Sequence, residues 1–389
     1  MKAAILLDRH VGGERVLLVA LDLGDPDYID SLAELRLLAL GAGLEITGEI
    51  LGKRNRPDAA LFAGSGKADE IAALVLATQA DVVIFNHELS PGQERNLERR
   101  LQCRVIDRVS LILDIFARRA QSAEGKLQVE LAQLQHLSTR LIRGWTHLER
   151  QRGGVGMRGP GEKQLETDRR LIGVRVKTLK ERLAKLEKQR RTQRRARERG
   201  NVLTVALVGY TNAGKSSLFN ALTRAGAYEA DQLFATLDTT TRKLYLPGLG
   251  EVVLADTVGF VTRLPHSLIA AFRATLEATA EADLLLHVVD TASANRERQI
   301  TAVDKVLDDM GADHDGIFRV YNKLDLTGLA PTASRDEYGK LQAVYVSAKT
   351  GAGLDLLRVA LVEILSGLRA SSKPPLDNFI PYQSFVSAS

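Results

Sequence analysis

Short apolar runs alternate with amphipathic stretches over the first hundred residues. Ala3–Leu7, Val16–Leu21, Glu45–Leu51 and Asp81–Phe85 have the length and apolarity of buried strands, and Asp30–Leu40, Lys67–Thr78 and Gly92–Leu101 carry helical spacing between them. Strands alternating with helices predict a small α/β domain with a largely parallel sheet over residues 1–108. The period then changes. Leu127, Leu131, Leu134, Ser138, Leu141, Trp145 and Leu148 recur at steps of four and three, and Ile172, Val176, Leu179, Leu183 and Leu186 repeat that rhythm. Two heptad seams predict a long antiparallel helical hairpin over residues 109–200. Its tip, residues 152–161, holds five glycines and one proline and is expected to be a non-helical loop. Buried strands and helices alternate again over residues 201–366. Residues 367–389 carry neither period and are expected to form an extended tail.

The chain of 389 residues is too long for one ordinary core, and 45% hydrophobic with 26% charged residues is the balance of a globular protein rather than a disordered one. No apolar stretch approaches the roughly 20 residues that cross a bilayer. The opening run, MKAAILLDRH, meets Asp8 and Arg9 too soon for a secretory signal, so a cytoplasmic protein is expected, with a monomer as the default state. Cys103 is the only cysteine, which excludes an intrachain disulfide and a thiolate metal cluster. The net charge of +5 is unevenly spread: Lys188–Arg199 carries seven basic residues and one acid. Such a run serves either as a solvated helix end or as a surface for a polyanion.

The strongest chemical signal is GYTNAGKS, comprising Gly209, Tyr210, Thr211, Asn212, Ala213, Gly214, Lys215 and Ser216 and followed by Ser217. It fits G-x-x-x-x-G-K-[ST] and lies between an apolar strand, Val202–Val208, and a helix-compatible run. Glycines let consecutive amides turn inward around a phosphate chain, and the helix that follows directs its positive end at the same anion. Lys215 can add a charge at the β- and γ-phosphates, and the Ser216 hydroxyl can ligate Mg²⁺.

The base is read elsewhere. Asn322, Lys323, Leu324 and Asp325 close another apolar run, Ile317–Tyr321. A carboxylate at 325 can accept from both N1–H and the exocyclic amine of guanine, a donor pair that adenine lacks. Ser347, Ala348 and Lys349 are expected to support the guanine carbonyl from the backbone. Between these segments, strand Val252–Ala255 runs into Asp256, Thr257, Val258 and Gly259, where Asp256 can hold a water of the Mg²⁺ shell and the Gly259 amide can meet the γ-phosphate. These motifs in this order predict a Ras-like P-loop GTPase domain that hydrolyses GTP to GDP and phosphate. In the switch loop DQLFATLDTTTRK, with Phe234 expected beside the nucleotide, Thr236 is chosen as the second Mg²⁺ ligand and Thr240 is the runner-up.

With these residues assembled, the chain resembles the HflX family of the Obg–HflX group of ribosome-associated GTPases. The resemblance runs from Met1 to about Leu365, and its most specific mark is GGVGMRGPGEKQLETDRR, Gly153–Arg170. EGKLQVELAQL, FATLD and DTVGFVTRLPHSLIAAFRATLE match as well. Met157 and Lys163 stand where the family usually has threonine, and Thr239 where it usually has proline. The resemblance implies a protein that binds the large ribosomal subunit and, with GTP, splits or recycles stalled or idle ribosomes. The alternative within the same group is an assembly or hibernation GTPase that acts on the large subunit without splitting. Arg152 and Arg158 in the tip, with Arg190, Arg191, Arg194, Arg195 and Arg197, are the expected ribosomal RNA contacts.

Two features bear on mechanism. Phe260 follows Gly259, where many small GTPases place a water-orienting glutamine, so intrinsic hydrolysis is expected to be slow. In related GTPases an asparagine at the position of Asn212 helps bind K⁺, which can act as an arginine finger does; the other reading is that Asn212 only fixes the loop. A second glycine-lysine segment, Gly64–Glu70, lacks the four-residue spacer and has Ala68 after Lys67, so a structural turn is favoured there over a contact to ATP or RNA.

Overall fold

The computed structural model describes residues 13–143, 160–199, 202–223, 233–234, 236–261, 282–309, 311–312 and 316–371. The expected strand Ala3–Leu7, the seam positions Trp145 and Leu148, most of the tip loop with Arg152, Met157 and Arg158, and residues 372–389 lie outside them. So do the side chains of Leu141, Lys163, Arg190, Arg191, Arg194, Arg195 and Arg197.

The N-terminal region runs β1 (Arg15–Asp22), α1 (Tyr28–Gly41), β2 (Glu45–Lys53), α2 (Ser65–Thr78), β3 (Val82–Phe85), α3 (Pro91–Leu101), β4 (Arg104–Asp107) and α4 (Arg108–Arg119). Its four strands pair in parallel in the order β2-β1-β3-β4. Local chemistry sets the helix starts. Ser90 and Gln93 form a reciprocal capping box with Pro91 in the first turn of α3, and the Asp107 carboxylate accepts from Ser110 N at the head of α4.

Helix α4 begins at the expected boundary but packs back onto the N-terminal sheet. Ile112, Ile115 and Phe116 join Leu35 and Leu38 of α1 and Val16 of β1 in one apolar cluster. That cluster continues into the next domain through Ala206, Val208, Phe234, Val258 and Phe260.

Helices α5 (Ala123–Arg143) and α6 (Pro160–Arg199) form the hairpin. Leu131, Leu134 and Leu179 are buried between them, with Leu127, Ile172, Val176 and Leu183 packed around and Arg175 paired to Glu130. α6 opens at Pro160, two residues inside the expected loop; proline's fixed φ suits a first helical position, which also needs no N–H. The basic run Lys188–Arg199 falls in the last turns of α6, beyond the seam.

The third region is a seven-stranded sheet of order β10-β11-β9-β8-β5-β7-β6. Its elements are β5 (Thr204–Val208), α7 (Lys215–Thr223), β6 (Thr240–Leu246), β7 (Gly250–Asp256), β8 (Leu284–Asp290), α8 (Arg296–Asp309), β9 (Ile317–Asn322), β10 (Thr332–Arg335), β11 (Leu341–Tyr345) and α9 (Leu354–Ser371). β6 and β10 run antiparallel to their neighbours and the other pairs are parallel. Central β5 has β7 on one side and β8 on the other. The crevice outside its carboxyl end is where open α/β sheets bind ligands. α9 continues to Ser371, past the expected start of the tail at 367, because Leu368 extends the apolar face of Leu357, Leu361 and Leu365 and Arg369 donates to Leu249 O.

Candidate nucleotide site

The loop 209–216 joins β5 to α7, and two of its glycines are required by space. A Cβ on Gly209 (φ 146°) would overlap Val288 O of the neighbouring strand, and one on Gly214 (φ 88°) would overlap the Asn322 amide. Asn212 takes the left-handed conformation at φ 60°. The loop borders a cleft of about 950 Å³ lined by Thr211, Asn212, Gly214, Lys215, Ser216, Ser217, Phe234, Thr236, Thr257 and Gly259 on one side and by Asn322, Lys323, Asp325, Ala348 and Lys349 on the other. Asn220, Ala221 and Leu326 line it too, without a motif to announce them. Gly209, Tyr210, Ala213, Asp256, Val258 and Ser347 stand behind that lining. Val258 is committed to the apolar core, and the Tyr210 hydroxyl donates to Glu34 Oε1 of α1 at 2.7 Å.

Electrostatics at the loop favour an anion. Lys215 is buried, and among the described residues its ammonium donates to the Gly209 and Tyr210 carbonyls, at 3.1 and 2.9 Å. Burial pushes its pKa down to about 8 against the opposing pull of Asp256. A triphosphate would add countercharge beyond that of Asp256.

Three oxygens converge beside it. Ser216 Oγ lies 2.7 Å from Asp256 Oδ2 and 2.8 Å from Thr236 Oγ1, which is itself 2.9 Å from Asp256 Oδ2. Burial raises the Asp256 pKa, while hydrogen bonds from Ser216 and Thr236 and the Lys215 charge lower it. Its second oxygen, Oδ1, is buried with no partner among the described residues. A hard divalent cation with its water shell fits such a set, since it would satisfy the orphaned oxygen and favour the ionised carboxylate. Thr240, the runner-up, opens β6 and sits opposite Asp256 in the strand ladder instead of in this cluster.

Gly259 packs so closely on Thr211 and Lys215 Nζ that a side chain there would come within 2.9 Å of both. Phe260 is pinned by its backbone: its N donates to Gly209 O at 3.2 Å and its O accepts from Thr211 N at 2.7 Å, with the ring buried. No side chain at 260 is available to orient water.

On the opposite wall, Asn322 ties two segments together, donating to Ala213 O of the phosphate loop and accepting from Ala348 N. Ser347 Oγ donates to Asp325 Oδ1 at 2.6 Å, orienting the carboxylate. Lys323 is in the left-handed conformation with its ammonium 2.9 Å from Asp290, a partner that no sequence motif announced. The Gly64 segment turns into a helix start: α2 begins at Ser65, and Lys67 donates to Leu51 O and pairs with Glu70.

Three family models match in succession: a GTP-binding GTPase N-terminal region over 29–117, a GTP-binding GTPase middle region over 119–197, and a 50S ribosome-binding GTPase over 204–323. GTPase HflX of Escherichia coli is 54% identical over 93% of this chain and 85% of its own length. The chain belongs to the HflX family of GTPases. A second HflX, from Caldanaerobacter subterraneus, is 49% identical over 90% of this chain and 80% of its own. The crystal structure of SsGBP with GDP shares the fold, at TM-score 0.50 and 22% identity, over 92% of this chain and all of that one. As an HflX GTPase, the protein binds GTP and hydrolyses it. Among the described residues no helix is long and apolar enough to cross a membrane.

Proposed function

We propose that this HflX GTPase binds the large ribosomal subunit in its GTP state, splits or recycles stalled or idle ribosomes, and leaves after hydrolysis. The observation that carries the switch is the meeting of Thr236 with Ser216 and Asp256, side chains of a loop, a helix and a strand end that hydrogen-bond to one another at a single point on the cleft. In this reading Ser216 and Thr236 hold Mg²⁺ directly and Asp256 holds it through water. Mg²⁺ would offset triphosphate charge, while Lys215 and the loop amides orient the phosphates. Losing the γ-phosphate would remove its own contacts to Thr236 and Gly259 and so loosen both loops. The ribosomal half rests on the family's description as ribosome-binding and on the basic end of α6, with Arg152, Arg158, Arg190, Arg191, Arg194, Arg195 and Arg197 as phosphate contacts.

Sucrose-gradient sedimentation of idle ribosomes with the protein separates the readings. Subunits are expected to appear with GTP and not with GDP. Intact ribosomes in both nucleotides, with the protein on the large subunit only, would favour the assembly or hibernation reading.

Asn212 lines the cleft with its backbone fixed, and we assign it a K⁺ contact. With no side chain at 260 to orient water, turnover is expected to be slow and to rise about tenfold when Na⁺ is replaced by K⁺, a cation supplying part of what an arginine finger gives. Equal steady-state rates in the two salts would remove K⁺ from the site.

A further inference from the structure

Thr236 is gripped on both flanks by parts of the chain outside the GTPase domain. Two residues before it, Phe234 takes a left-handed backbone conformation (φ 57°) and sets its buried ring edge-on against Phe116 of α4, centroids 4.6 Å apart. Two residues after it, Asp238 reaches the start of α5. Its Oδ2 accepts from the Gln121 and Ser122 amides at 2.7 and 2.8 Å, and its Oδ1 accepts from Ser122 Oγ at 2.5 Å.

The Gln121 and Ser122 amides lie just ahead of α5, where no carbonyl of the helix accepts from them and the positive end of its dipole is near, so a carboxylate there makes charge-assisted bonds. α5 does not need Asp238 for its own capping, because Ser122 Oγ already accepts from Gly125 N at 2.8 Å. The seat is also shaped for the carboxylate: a Cβ on Gly125 would overlap Asp238 Oδ1. Glycine within a helix costs stability relative to alanine, and here it leaves the room that Asp238 fills.

We propose that Ser122, Gly125 and Asp238 are positioning residues: they form a seat in the helical hairpin that holds the switch loop so that Thr236 stays beside Ser216 and Asp256. The proposal rests on the reading of Thr236 as the nucleotide-dependent switch threonine. Two consequences follow from the geometry. Seating the loop in advance lowers the entropy cost of completing the hydrolytic site, so the contact favours turnover. When the γ-phosphate leaves and Thr236 withdraws, Asp238 withdraws with it, and the Gln121 and Ser122 amides that lead into α5 lose their acceptor. The hairpin thereby reads the nucleotide state at its own N-terminus.

Gly125→Ala is the sharpest test, because alanine favours the helix while its methyl occupies the carboxylate's place. Its melting temperature is expected to hold or rise, its affinity for GDP to stay unchanged, and its kcat to fall about tenfold, roughly the worth of one charge-assisted hydrogen bond. Ser122→Ala and Asp238→Ala should lower kcat likewise, and Ser122→Thr, which keeps the hydroxyl, should restore it. In the intact protein, amide exchange over residues 121–126 should be slower with a non-hydrolysable GTP analogue than with GDP, and Asp238→Ala should erase that difference. Equal exchange in both nucleotides, or a Gly125→Ala protein with undiminished kcat, overturns the seat. Thr236→Ala separates this failure from that of the underlying reading: if it leaves analogue affinity intact, the assignment of Thr236 falls. If only the seat variants are silent, the seat alone falls.

Discussion

Replacing Lys215 with methionine is expected to lower kcat/KM for GTP by about a thousandfold, the scale set by removing one preorganised charge donor from a closed site. Methionine keeps the length and apolar bulk of the stem, so the change is confined to the ammonium. The loss should be accompanied by no loss of apo stability. Lys215 is buried and its charge is disfavoured, which is why its pKa falls from 10.5 to about 8. A base whose folded pKa is depressed opposes folding at pH values below that pKa, and the cost is relieved as pH rises through the interval from about 8 to 10.5. At neutral pH the nucleotide-free wild type therefore carries the full cost and the methionine variant none of it. Thermal melts of the two apo proteins at neutral pH, with titration calorimetry of GDP, check both halves. A variant that melts well below wild type would mean that Lys215 holds the loop together through the Gly209 and Tyr210 carbonyls rather than waiting for phosphate.

Asp325→Asn is expected to exchange base preference rather than destroy the site. Guanine presents two donors to the carboxylate. An amide keeps one acceptor and turns a donor toward the exocyclic amine, so one bond is lost and a repulsion replaces it. Xanthine has a carbonyl at that place, which the amide can satisfy. GTP affinity should fall by about a thousandfold, somewhat short of the roughly 10⁴-fold by which a site built for a polar group rejects an analogue lacking it, and xanthosine triphosphate should recover most of it. Ser347 Oγ donates to Asp325 Oδ1 and can equally donate to an asparagine carbonyl, so the side chain keeps its orientation. Competition of each triphosphate against a fluorescent analogue measures the exchange. Equal weakening toward both bases would place base recognition elsewhere on the wall formed by residues 322–326 and 347–349.

The phosphate loop and the segment proposed to read the base were legible because each is contiguous and each sits where a buried strand ends. Local order alone brings their functional groups into line, and Asn322 then bridges the two walls. Thr236 and Thr240 pose a different kind of question. Both belong to one polar segment four residues apart, and their places depend on where β6 starts to pair with β7, a non-local event that puts Thr240 in the ladder and leaves Thr236 beside Ser216. α4 is hidden for a related reason. It packs against the N-terminal sheet, α5 and the switch loop, and its continuous stretch Arg108–Phe116 is buried, polar residues included, so burial there does not follow the apolar positions of RVSLILDIFARR. Asp238 closes the FATLD match, but its partners lie more than a hundred residues earlier, so no local pattern pairs it with Ser122.

Sequence by itself determined the order of regions, the nucleotide chemistry and the family, because phosphate cradles, guanine readers and heptad seams are built from residues close together in the chain. Only the tertiary structure decided which threonine meets Ser216 and Asp256, and that the switch loop leans on the hairpin and the N-terminal helices. Those outcomes depend on which surfaces are buried together when sheets and helices pack, and no local stretch of sequence carries that information.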